Sequence, residues 1–178
     1  MTTYVTAGFV TGPRWVPPEK YGSRGRLPAE VATVSECLVD FVSPVRDWWL
    51  EPWFESVGEA REHPGHILSM SVPADQAAAL TELMTGWIGD RPHPMIGNLA
   101  RGAPAPDGSE LGFEVLGFEA GRFHTWLCYS LLDETDVQPN GNGLIGTLAE
   151  AQGVADLISE EGFGPEEVTW FPARIAEH

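Results

Sequence analysis

An α+β fold is what this sequence predicts: a single compact domain, 1–178, in which helices pack against a mixed or antiparallel sheet. Three observations lead there. Hydrophobic residues make up 43% of the 178 and charged residues 20%, the balance of a chain that folds around a core. Strand-like segments are few, and helical ones interrupt them without regular strand-helix-strand alternation. No internal repeat or low-complexity tail divides the chain. The Pro/Gly-rich stretches at 11–28 and 90–110 read as loops within one domain.

The elements follow in order. TTYVTAGFV (2–10) is rich in Thr, Val and aromatics and reads as a strand. The loop at 11–28 carries a basic cluster, Arg14, Lys20, Arg24 and Arg26. Residues 29–43 fit both periods, and their β-branched content favours a strand. Ser43-Pro44 has the form of an N-cap with Pro at the first helical position, and Pro52 ends or kinks that helix. A second helix is expected from about 53 to 62. HILSMSVP (66–73) alternates as a strand with one apolar face. In 73–89, Ala77, Leu80, Leu83, Met84 and Trp87 form one helical stripe, closed by Gly89. Residues 111–120 read as a strand. GRFHTWLCYSLLDE (121–134) then changes to helical spacing, through Phe123, Trp126, Leu127, Ser130 and Leu131. Asn140-Gly141 and Asn142-Gly143 mark turns. Thr147 and Glu150 have capping-box spacing at the head of a helix over 147–162. The last strand, 166–175, is expected at a sheet edge because Pro172 cannot donate to a ladder.

Charge narrows the function classes. The net charge is −16. Residues 1–28 hold four cations against Glu19, so the remainder carries all the negative excess. A chain this acidic is repelled by nucleic acid and by anionic lipid, and it favours a basic protein partner. No apolar run approaches the roughly 18 residues of a membrane span. The N-terminus lacks the charged and apolar regions of a signal peptide. Two cysteines, Cys37 and Cys128, make no disulfide framework and read as reduced thiols in a cytoplasmic protein.

Candidate chemistry centres on His124 and Cys128. On a helix they would share a face at i and i+4, near enough to ligate one metal ion or to pair base with thiol. Two ligands make no metal site, and no third group orients the histidine as a catalytic base. A packed structural thiol is the simpler reading. GNGLIG (141–146) lacks the fuller glycine pattern of a phosphate loop and reads as a turn. Glu110, Glu114 and Glu119 show nothing that would push two carboxyl pKa values apart. No catalytic, metal-binding or cofactor-binding residue is therefore assigned. The Trp-rich stretch RDWWLEPWFES (46–56) cannot bury every ring on two short helices, and acids surround it. Trp48, Trp49, Glu51, Trp53 and Glu55 are candidates for a partner-binding patch, with Asp133, Glu134, Asp136, Glu160 and Glu161 as further exposed acid.

Residues 111–147 carry a resemblance. LGFEVLGFEAGRFHTWLCYSL, a short acidic linker and NGNGLIGTLAEA are similar to small immunity-type proteins of toxin systems that are frequent in actinobacteria. Gly117, Glu119, Phe123, His124, Trp126, Cys128, Asn142, Gly143, Leu144 and Ile145 carry the likeness. The resemblance implies a non-enzymatic cytoplasmic protein that binds and neutralises a toxin domain. It implies no catalytic residue. The alternatives are a cysteine-dependent enzyme using Cys128 with His124, or a structural assembly subunit; the oligomeric state stays open.

Overall fold

In the computed structural model, the described residues are 2–12, 14–17, 25–35, 53–89, 92–119, 121–127, 131–161 and 168–178. The strands are β1 (Tyr4–Gly12), β2 (His66–Pro73), β3 (Ser109–Glu119), β4 (Arg122–Thr125) and β5 (Thr169–Glu177). The helices are α1 (Val57–Ala60), α2 (Ala77–Ile88), α3 (Pro94–Arg101) and α4 (Leu148–Glu161), with a short 3-10 helix at Leu131–Glu134. The strands form one sheet in the order β1-β2-β5-β3-β4, antiparallel at every pairing. The α+β expectation holds, and the sheet is of the antiparallel kind.

Side-chain alternation sorts the sheet into two faces. Leu116 and Phe118 of β3, with Phe171, Ala173 and Ile175 of β5, pack with Leu80 and Met84 of α2 and Met95 and Leu99 of α3. Their neighbours Phe113, Val115 and Trp170 join a second cluster with Ala151, Val154 and Ile158 of α4 and with Leu131 and Leu132. Helices thus cover both faces, and this overturns the expectation of one apolar face for 66–73. From Ile67 to Pro73 every residue of β2 is buried. In β1 a bulge between Thr6 and Gly8 shifts the alternation, so Phe9 leaves the larger cluster and meets Ile67 and Ala60.

Four further expectations are corrected. Residues 122–125 form strand β4, hairpinned onto β3 through Gly121 at φ 81°, and the described helix that follows is the 3-10 turn at 131–134. The apolar residues there sat at helical spacing, but β-sheet pairing with 116–119 prevails. Helix α3 occupies part of the expected loop 90–110. His93 caps it, Pro94 opens it, and Gly102 closes it in the left-handed region. The helix expected over 53–62 shrinks to α1, because Phe54 bridges to Phe9 as a strand would. Trp87 is 49% exposed and leaves the α2 stripe.

The last correction shapes the molecule. β5 is central, between β2 and β3. Its ladder with β2 runs only from Leu68–Glu177 to Ser71–Arg174, while its ladder with β3 continues to Thr169. Pro172 is tolerated because its ladder with β2 has by then ended, at Ser71–Arg174. Val115, opposite Pro172, gives its carbonyl to Trp126 N–H at 3.0 Å on the far side. Val115 and Pro172 are therefore a non-hydrogen-bonded pair, and the main chain of Pro172 faces away from β3, where no strand asks it for a donor. Among the described residues, the strand expected within 29–43 appears as the Val31 bridge to Trp15; residues 36–43, and the helix expected after Pro44, lie outside the described residues.

Candidate functional site

Trp53 is 7% exposed and meets the Phe123 ring edge-on at 5.7 Å between centroids. A partner cannot reach it, so Trp53 belongs to the core and not to a binding patch. Glu55 is exposed but already holds Arg101 at 2.6 Å. Asp133, Glu134 and Asp136 are exposed on and just after the 3-10 helix, and Glu160 is exposed on α4. Trp48, Trp49 and Glu51 lie outside the described residues, as does the side chain of Glu161.

What the structure adds is the distribution of counter-charge. Arg14 pairs with Glu177 at 2.9 Å, Arg174 with Glu110 at 2.6 Å, and Arg101 with Glu55. Arg26 donates to the carbonyls of Leu132 and Val137. These cations are spent at the 177 end of the sheet, beside α1, and under the 3-10 turn. Among the described residues, no ion pair reaches Asp133, Glu134, Asp136, Asp156 or Glu160. All five belong to the α4 layer, whose inward side chains share one cluster. Gln152, Asp156 and Glu160, spaced by four, run as one stripe along α4. Asp156 escaped the sequence reading; the spacing from Glu160 was the available signal.

The suspected chemistry resolves into structure. Glu110 holds Arg174, Glu119 lies 3.1 Å from His124 Nε2, and buried Glu114 accepts from Thr33 Oγ1 and from Val34 N–H at 3.1 Å. The three carboxylates serve three separate contacts. His124 stands on strand β4, so the helical geometry that would set it over Cys128 is absent; Cys128 itself lies outside the described residues. A Ser–His contact does exist: His178 Nε2 is 2.8 Å from Ser69 Oγ. Ser69 is 2% exposed and sits between β1 and β5, where no substrate carbonyl can approach its hydroxyl. Among the described residues, no group of three His, Cys, Asp or Glu is placed to hold a metal ion, and no helix is long and apolar enough to cross a membrane.

Beyond the end of the β2–β5 ladder, a notch of about 570 Å³ opens between the two helical layers. Leu80 and Leu83 of α2, Val72, and Trp170, Phe171 and Pro172 of β5 supply its apolar walls. Asp75 and Glu82 stand on its rim and are exposed. A hydrogen-bond relay crosses it from one layer to the other. Gln152 donates to Asp156 Oδ1 at 2.8 Å, and Gln76 donates to Gln152 Oε1 at 3.0 Å. The carboxylate can only accept, and that fixes the direction of both amides. Gln76 Oε1 is left buried with no donor. No family model matches this chain, and no curated protein and no solved structure matches it either.

Proposed function

We propose that the chain is a non-enzymatic cytoplasmic binding protein of the immunity type, which holds a basic toxin domain against its α4 layer. One observation carries the reading: among the described residues the exposed acids of that layer make no ion pair, and the cation beside them, Arg26, is held by the carbonyls of Leu132 and Val137. Segregated charge of one sign raises the encounter rate with a partner of the other sign and rejects like-charged partners. An acid scattered for solubility alone has no reason to avoid its counter-ions. The resemblance over 111–147 supports the same reading. With Trp53 in the core, the binding face moves from the Trp-rich stretch to Asp133, Glu134, Asp136, Asp156 and Glu160.

The test is direct binding to the protein domains encoded on either side of the gene, by calorimetry at low and at raised salt. One-to-one binding is expected, weakened by salt. Replacing Asp133, Glu134 and Asp136 together by Asn, Gln and Asn lowers the association rate about tenfold or more. If neither neighbour binds at low salt, or if the triple replacement leaves the rate unchanged, the reading is wrong.

A further inference from the structure

We infer that the notch between α2 and α4 is a binding site for a small organic cation with an apolar body, an amine or guanidinium carried on an aromatic or branched aliphatic group. The inference rests on observations independent of the partner-binding role, although the relay ends on Asp156 of the acidic layer. Its volume, about 570 Å³, lies within the range of small-ligand pockets. The occupant's chemistry follows from what the walls offer. The body meets Leu80, Leu83, Trp170 and Phe171, which form an apolar surface recessed between two helical layers.

The polar groups that converge there mostly accept. Asp75 and Glu82 are carboxylates without an ion-pair partner among the described residues. The relay through Gln152 to Asp156 engages a donor of each amide, and Gln76 Oε1 is buried beneath it, off the notch surface. Pro172 shows the notch a carbonyl and no N–H, because its backbone faces away from β3. Among the described residues, no Lys, Arg or His lines the notch. An anion would face carboxylates and carbonyls with no cation to hold it. A neutral apolar ligand would leave the rim charges unused. A cation on an apolar stem matches both.

Phenethylamine is a suitable probe, with hydrocinnamate and phenethyl alcohol as anionic and neutral counterparts of the same shape. Amide shifts of isotope-labelled protein report the place of binding, and their titration reports affinity. The amine should shift Thr169, Trp170 and Phe171 with Gln76 and Leu83, and bind about tenfold more tightly than the alcohol. Hydrocinnamate should not bind measurably. Glu82→Gln should cut the preference for amine over alcohol to about threefold or less while leaving alcohol binding in place. Ala79→Trp, which fills the notch from an exposed position on α2, should abolish binding of both without lowering the melting temperature. Equal binding of amine and carboxylate, shifts elsewhere, or no binding by any probe at millimolar concentration would each overturn the inference. Partner binding by the acid of the α4 layer is measured separately, and the Ala79→Trp variant should retain it.

Discussion

Protonating His93 removes the cap of α3, so acid should weaken the fold by an amount the structure sets. Nδ1 of His93 accepts the N–H of Met95 at 3.3 Å, and Pro94 follows as the first helical residue. The ring is buried, at 8% exposure, and burial lowers its pKa below the ordinary 6.5. Two effects point the same way. Desolvation disfavours the charged ring, and a protonated Nδ1 has no lone pair for Met95. Because the folded pKa lies below the unfolded one, the unfolded chain takes up the proton first as pH falls. The contribution is complete above 6.5 and is lost as pH falls through 6.5 toward the folded value. What is lost is one cap bond, about 1 kcal/mol, which for a domain of this size is roughly 2–4 °C in melting temperature. Thermal unfolding followed by circular dichroism at constant ionic strength, from about pH 8 to about pH 5, measures it. His93→Asn keeps an acceptor that does not titrate, and His93→Ala has none. The parent should track the Asn variant at the alkaline end and approach the Ala variant at the acid end. Other titrating groups, His178 among them, are common to all three proteins and cancel in the differences. Three parallel curves would refute the argument, since the cap would then be indifferent to the proton.

Two other substitutions probe close packing and the turn-rich connector. At Gly117 an added Cβ would stand 2.4 Å from Val168 Cγ1 and 3.0 Å from the Trp170 ring, so Gly117→Ala should cost about 1–3 kcal/mol in urea unfolding; a neutral result would mean that Val168 and Trp170 shift freely. Asn140 accepts from the N–H groups of Asn142 and Leu144 and donates to Leu111 O, so Asn140→Ala should cost about 2–3 kcal/mol in the same assay, and Asn140→Asp, which sets a carboxylate oxygen against Leu111 O, should also destabilise.

Much of the fold was legible where local pattern and tertiary demand agree. The strand at 66–73, helix α2 with its stop at Gly89, strand β3 and helix α4 with Thr147 at its head all read correctly from period and caps. Failures came where a tertiary partner outweighs local signal. The aromatic and aliphatic residues of 123–131 have helical spacing, yet β3 offers 122–125 a ladder and takes it. For α3 the signal was present and unused: Pro94 just inside the start and Gly102 just past the end bracket a helix. The candidate site was legible as acid but not as a face. Asp133, Glu134, Asp136 and Glu160 were visible as exposed charge. Whether each had a counter-ion depends on pairs such as Arg14 with Glu177, far apart in the chain, which no window of sequence contains. Trp53 was misjudged because burial of one ring among several neighbouring aromatics depends on which of them the sheet admits.

Pro172 ties the fold to both readings of its surface. A proline in a strand ordinarily signals an edge, and here it occupies a central strand just past the end of its ladder with one neighbour. Its ring removes the donor on the side of β5 that faces away from β3, at a buried position where no ladder partner requires one. The ladder of β5 with β2 ends short of Pro172, and there the α2 and α4 layers, on opposite faces of the sheet, are bridged by two glutamine side chains. The relay ends on Asp156, which also belongs to the acidic stripe of α4. A ligand that drew Gln152 away from Asp156 would free that carboxylate, and a partner cation that held Asp156 would compete with the Gln152 amide for it. The two sites share one carboxylate, so occupation of the notch should alter the strength of partner binding, and by linkage the partner should alter affinity in the notch by the same factor.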